Sequence, residues 1–429
     1  MLFIIIPIRQ AKNHPPKTRM KKYIVPVLFA IVAGVSARAE DIITFWVRDS
    51  DQAIVDPLVK AYNARGGTNV KLSVIPAMQF VTKFATSIAG GSPPDVVAID
   101  LIYVPAFSKA GQMTDLTVQA KALPFFDKLS PSHIRLAAYE GKLYAVPFSA
   151  EASVLVYNTD LFTKAGLDSK HPPANFAEIE QDAQKITSLG ADTKGFYFSG
   201  SCAGCNVFTM LPLVWASGGD ILSEDGKTAT VDNNAVRSTL SLYRKMWEAG
   251  YIPQAAQGDN GTNFFTGFAT GKVGMAGLGA FAIGLLKEKY PNIHFDVAPL
   301  PGQNGGSASF AGGDSIGIPK GSKKVKEAWK FIQWCLQDDT QVNEFAKHGS
   351  IPVRTDIAES AYAKLDPRYV VVAKAMATGK TPYSTKYNEL LNDPNGPWLG
   401  MVQTAVFGKG VDEAVKEAQE KFTKILGAK

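Results

Sequence analysis

The segment from Ile42 to Asp100 switches repeatedly between two periodicities, and this alternation restricts the fold more than any other feature of the chain. Ile42 to Val47 is a β-rich run, followed by apolar positions Ile54, Val55, Leu58, Val59 and Tyr62 at helical spacing. Val70, Leu72 and Val74 then alternate with polar residues, as a half-buried strand does. A second helix, FVTKFATSIAG, stops at Gly90-Gly91, and the loop GGSPP leads into the apolar run Val96-Val97-Ala98-Ile99. A β-α-β-α-β order implies right-handed crossovers and a parallel sheet. In such open sheets ligands bind beyond the carboxyl ends of the strands, which points to Trp46 to Asp49 and to Asp100.

The second half repeats this style without repeating the sequence. Helices with an i, i+3/i+4 apolar stripe are read at Val236 to Trp247, Val325 to Leu336 and Val411 to Leu426. The glycine-rich stretch Pro299 to Gly313 reads as a connection between units. At 429 residues the chain exceeds the usual single-domain size. The expected fold class is therefore α/β, with two lobes between which the chain crosses more than once.

The formal charge of +6 hints at a polyanionic partner, but its location removes the hint. Residues 1–39 hold seven basic residues (Arg9, Lys12, Lys17, Arg19, Lys21, Lys22 and Arg38) and no acid, so the remainder is close to neutral. No broad basic face for nucleic acid is expected. Met20-Lys21-Lys22, the apolar run YIVPVLFAIVAGV and the small residues Ala37 and Ala39 form a secretory signal pattern, with cleavage before Glu40. The apolar run is short for a ~30 Å hydrocarbon core. The residues before Met20 fit no part of that signal, so Met20 is the expected start. No cysteine lies near the cleavage site, so no N-terminal lipid anchor is expected, and confinement then favours a periplasm. In an oxidising compartment Cys202 and Cys205 can close a small disulfide loop, whereas zinc lacks two further ligands nearby. A redox role for CAGC has little support, because the segment reads as a Ser/Gly-rich loop outside any strand-to-helix context. Cys335 falls on the apolar stripe of a helix and reads as a buried free thiol.

The stretch Pro147 to Lys164, PFSAEASVLVYNTDLFTK, is similar to the signature segment of family 1 extracellular solute-binding proteins, the group that includes maltose-binding protein. The match runs through Pro147-Phe148-Ser149, Val154-Leu155-Val156, Tyr157-Asn158 and the spacing of Phe162 and Lys164. Flanking blocks resemble the family in the same order: ITFWVRD, GSPPDVVAID, GGDILSEDGKTATVD, GGDSIGIPKGSKKVKEAWKF and NGPWLGMVQTAVFGKG. The resemblance implies two α/β lobes closing over a ligand, with crossings near Ser149 to Ser153, Phe310 to Asp314 and Ser350 to Arg354. One lobe would hold 40–150 and 311–350, the other 151–310 and 351–429. It also implies capture of a carbohydrate for an ABC importer: a monomeric, cofactor-free receptor that delivers its ligand to permease subunits powered by a separate ATPase.

A sugar offers C–H faces to aromatic rings and a rim of hydroxyls to carboxylates, amides and guanidinium groups. Trp46 ends the first strand at the expected ligand edge, with stacking or core packing as its two roles. Arg48 and Asp49 follow it and reach hydroxyls, an anionic substituent or solvent. Gln79 begins the second helix, facing the cleft or capping the helix. Asp100 ends the third strand, where a carboxylate needs a partner. By resemblance, Glu151 occupies a sugar-contacting position, with a salt bridge bracing the crossing as its alternative. Phe281 stands where many sugar-binding relatives have a stacking Trp. Gly313 permits close backbone approach at a crossing, Asp314 adds a carboxylate there, and Arg354 and Trp398 lie in family-like blocks. Two arginines, Arg48 and Arg354, raise the narrower expectation of an anionic sugar or glycerol phosphodiester. The rivals are a glycosidase using Asp100 and Glu151 and a same-fold receptor for a polyamine or metal. The chain has no HExxH or P-loop motif.

Overall fold

The computed structural model describes residues 42–363 and 366–428. The expected leader over 1–39 and its cleavage point lie outside them. Strands β1 (Ile42–Arg48), β2 (Asn69–Ile75) and β3 (Val96–Asp100) alternate with helices α1 (Gln52–Asn63) and α2 (Ala77–Ala89). β1 pairs in parallel with both β2 and β3, with Phe45 opposite Leu72 on one side and Val96 on the other. Ile43, Phe45 and Val47 are buried, while Trp46 and Arg48 point to the other, half-buried face. The strict alternation of the strand puts these two sets on opposite sides.

Helix α3 (Pro131–Ala137) precedes the longest strand, β4 (Ala145–Asn158). The later strands are β5 (Lys194–Tyr197), β6 (Val273–Gly279), β7 (Phe295–Ala298) and β8 (Ala311–Gly317). They continue the sheet in the order β2-β1-β3-β8-β4-β6-β5, with β7 also on β4. β4 therefore serves both lobes. Its first part, Ala145 to Ala152, pairs antiparallel with β8, and its second part, Ser153 to Asn158, pairs with β6 and β7. Ile351 adds an isolated bridge to Ala150, so a third segment runs beside the crossing.

Local hydrogen bonds fix the crossing. Phe310 N–H donates to Ser153 Oγ at 2.9 Å, and the Ser309 hydroxyl donates to Ser153 O at 2.9 Å. Gly313 has φ +112°, and a Cβ there would lie 2.1 Å from Ser149 O, so only glycine lets β8 approach β4 this closely. Beneath the same strand His133 of α3 is fully buried, its Nε2 3.0 Å from Ser149 O and its Nδ1 2.9 Å from Ser130 Oγ. Burial lowers its pKa to about 4, against the carbonyl of Ser149, so the ring is neutral at pH 7.

Each lobe has an aromatic core. In the first, Phe45 meets Phe148 and Phe331 edge to face at 5.8 and 5.2 Å, and Phe148 meets Phe345 at 5.2 Å. In the second, Tyr243 packs on Phe196 and Phe198 at 5.6 and 4.8 Å, and Trp247 on Phe407 at 4.7 Å. Three helices follow the sequence stripes, α5 (Asn234–Glu248), α7 (Val325–Cys335) and α9 (Val411–Gly427); α4 (Ala203–Thr209), α6 (Phe281–Lys289) and α8 (Pro397–Phe407) are further helices. Cys335 is a buried free thiol on α7. Cys202 and Cys205 are joined as a disulfide. Their setting differs from the loop reading: Cys202 caps α4, five residues after β5 ends, so CAGC does occupy a strand-to-helix turn. The Ser/Gly-rich sequence hid a helix start because capping turns use those same residues. Among the described residues no helix is long and apolar enough to cross a membrane.

Candidate functional site

The carboxyl ends of β1 and β3 and the middle of β8 meet at one cluster. Asp314 stands directly opposite Asp100 in the β8–β3 register, which places two carboxylates on one face of the sheet. Like charges in such a pair repel, and Arg48 lies between them. Its Nη2 is 2.5 Å from Asp314 Oδ1 and its Nη1 3.1 Å from Asp100 Oδ2. Its Nε lies 3.4 Å from Asp51 Oδ2, a residue absent from the sequence candidates. The i, i+3 spacing of Arg48 and Asp51 was the available signal. Burial lowers the Arg48 pKa and the three carboxylates raise it more, holding the guanidinium charged. Burial pushes Asp100 and, much further, Asp314 upward, and Arg48 opposes both. Asp100 also accepts from Ile102 N–H at 3.3 Å.

Tyr103 stands beside this cluster, and its hydroxyl accepts from Asn392 Nδ2 at 2.8 Å. Asn392 packs against α4 through Gly204, whose Cβ would come 2.8 Å from its side-chain oxygen. Two distant segments thus touch through a tyrosine and an amide that sequence reasoning missed, because 289 positions separate them.

On the second-lobe side, Glu151 is engaged by backbone. Its Oε1 accepts from Ala280 N–H and, at 3.1 Å, from Ala152 N–H, with Phe281 N–H as a further donor. These groups include the start of α6, where N–H donors lack partners inside the helix. Burial pushes its carboxyl up to about 8, opposed by those three donors. Glu151 is thus held at the crossing by backbone N–H groups rather than by a salt bridge. Phe281 is half-buried, with Phe264 and Phe265 each 6.3 Å away, so three rings line this wall.

The remaining candidates lie as follows. Trp46 is half-buried on the core, with Lys83 Nζ 5.5 Å over its ring. Asp49 accepts from Ala77 N–H at 3.0 Å at the start of α2, and Gln79 is exposed in the first turn of that helix. Gly313 serves the close approach of β8 to β4. Trp398 is 1% exposed at the start of α8, its indole nitrogen without a partner. Arg354 is not joined to Arg48. It bonds Asp338 at 2.7 Å and Asp356 at 2.8 Å and lies 4.1 Å over the Phe125 ring. With each guanidinium held by its own carboxylates, the paired-arginine anion site expected from sequence is not assembled. A surface groove lined by Asp220, Thr230, Asp232, Asn233 and Gln419 contains none of the candidates. Among the described residues no cluster of His, Cys, Asp and Glu is arranged to hold a metal ion.

Comparison with known proteins agrees with this architecture. The chain is 27% identical over 371 residues to a putative binding protein of Brucella abortus, covering 86% of this chain and 88% of that one. It is 26% identical over 405 residues to the diacetylchitobiose binding protein DasA of Streptomyces coelicolor, covering 92% of each. The crystal structure of an ABC transporter solute-binding protein from Thermotoga lettingae, bound with α-D-tagatose, superposes with a TM-score of 0.80 at 23% identity, over 90% of this chain and 100% of that one. That likeness establishes the two-lobed fold. The model of the bacterial extracellular solute-binding protein family matches residues 47–342, well over half of the chain, and the chain belongs to that family.

Proposed function

We propose that the protein is the periplasmic capture component of a carbohydrate ABC importer, which binds a sugar or sugar derivative between its lobes and presents the closed form to a membrane permease. The observation that carries this reading is the pairing of a carboxylate-bearing edge (Asp100) with a half-buried aromatic wall (Phe264, Phe265 and Phe281) on either side of a crossing strand. Carboxylates suit sugar hydroxyls and rings suit sugar C–H faces. A relative named for diacetylchitobiose binding and a fold neighbour bound with tagatose support the same class. The lobes are taken as 40–150 with 311–350 and 151–310 with 351–429, and residues 1–39 as a leader whose signal peptide starts at Met20 and carries no lipid anchor. The receptor acts as a monomer without cofactor, and the energy comes from a separate ATPase.

The way the carboxyl groups are used supports binding rather than hydrolysis. A glycosidase needs two carboxyl groups free to exchange protons with substrate and water. Here Asp100 is paired with Arg48, and Glu151 is held by N–H groups. Lobe closure is a population shift driven by a ligand that touches both walls. A thermal-shift screen of neutral mono- and disaccharides, including N-acetylated ones, tests the reading. The expected result is an upshift with one sugar class that grows with concentration, with stabilisation of about 2.7 kcal/mol at 100 times Kd. No shift with any sugar in the panel sinks the carbohydrate assignment.

A further inference from the structure

The Arg48 cluster is short of positive charge. One guanidinium faces three carboxylates, Asp51, Asp100 and Asp314, and all three of its nitrogens point at them. The neighbouring groups supply no further cation: Tyr103 and Tyr387 approach from two other segments, and Asp49 is turned away to Ala77 N–H. Asp314 is fully buried, and its Oδ2 has no donor; Asp51 Oδ2 accepts no hydrogen bond and has only Arg48 Nε, 3.4 Å away. These two carboxyl groups meet one guanidinium, Asp51 at its Nε and Asp314 at its Nη2, and are therefore neighbours. Two bare carboxylates in that position would repel in a medium where Coulomb energies are large, whereas one proton between them turns the contact into a hydrogen bond.

We propose that Asp51 and Asp314 share one proton beneath Arg48, leaving the first-lobe wall with a single net negative charge that admits uncharged polyhydroxyl ligands and excludes their carboxylate and phosphate counterparts. Asp100, with about a quarter of its side chain exposed, is then the acceptor that meets ligand hydroxyls. No guanidinium nitrogen is turned outward to meet an anion. This selectivity rests on the sugar-receptor reading; the proton does not. Burial and the neighbouring acids push the Asp314 carboxyl well above the usual carboxylate range, in keeping with a retained proton.

Two measurements on the full chain separate the parts. Infrared spectra of the unliganded protein at pH 7 are expected to show the C=O stretch of a protonated carboxyl group that disappears in both Asp51→Asn and Asp314→Asn. Its absence from the wild type overturns the shared proton. Should Asp314→Asn not fold, Asp51→Asn on the more exposed partner decides the matter. Thermal-shift titrations then compare glucose, maltose and N,N′-diacetylchitobiose with glucuronate, maltobionate and glucose 6-phosphate. At least tenfold weaker binding of every anion than of the neutral sugar that binds supports the exclusion, and an anion binding equally or more tightly overturns it. If none of these sugars binds, the carbohydrate reading and the selectivity built on it fall together, while the infrared band still decides the proton.

Discussion

The two walls of the proposed cleft manage buried charge in opposite ways. On the first-lobe wall, Asp314 and Asp100 depend on a side chain, Arg48, that reaches them from another strand. On the second-lobe wall, Glu151 depends on N–H groups of the backbone at the start of α6, and the surrounding surface is aromatic. The first arrangement can be dismantled by one substitution, because its compensation resides in one residue. The second cannot, because the donors are backbone groups at the start of α6 and in β4. The first wall is accordingly suited to meeting hydroxyl groups and the second to meeting C–H faces.

The strongest way to break this comparison is Arg48→Ala. It leaves Asp100 and the buried Asp314 without their cation, and removing one partner of a buried pair is expected to destabilise the fold by about 3–5 kcal/mol in urea unfolding. A loss below 1 kcal/mol would mean that the carboxylates are already neutral or hydrated, and the contrast between the walls would fail.

A pH series sharpens it. His133, beneath the crossing strand, has a folded pKa lowered to about 4 from 6.5, so the unfolded chain binds the extra proton first. Stability should therefore fall as pH drops from 6.5 toward 4, by at most about 3 kcal/mol. Glu151 works in the other direction. With its folded pKa raised to about 8 from 4.5, the stability it contributes is complete below pH 4.5 and lost as pH rises toward 8. His133→Gln should flatten the acid side of the Tm profile and Glu151→Gln the alkaline side. Profiles left unchanged by both substitutions would show that each group titrates in the folded state as it does in the unfolded chain.

The smallest expected effect belongs to Phe281→Ala. Removing one of three neighbouring rings should weaken sugar binding about tenfold, roughly 1.4 kcal/mol, and leave the urea midpoint nearly unmoved. A large stability loss with unchanged affinity would reassign Phe281 to the core.

Much of the fold was legible in the chain. The alternation of periods over Ile42 to Asp100 yields the parallel β1, β2 and β3, and the stripes at 236–247, 325–336 and 411–426 match α5, α7 and α9 to within two residues at each end. Hydrophobic periodicity is a local quantity, and helices and strands answer to it directly. The candidate Asp100 was legible for a similar reason, as a carboxylate at the end of an apolar strand. Its partner's role was not: Arg48 could be solvated, face an anion or pair with acids.

That choice was made by register. Asp314 lies 266 positions from Arg48, and it meets Asp100 because β8 runs antiparallel between β3 and β4, a pairing for which no local pattern exists. The same holds for Asn392 on Tyr103 and for the N–H groups of α6 on Glu151. Sequence by itself determined which segments become strands and helices and which residue types stand at their ends. The tertiary structure decided which charges neutralise one another, because Coulomb and hydrogen-bond energies depend on separations of a few ångströms between atoms far apart in the chain.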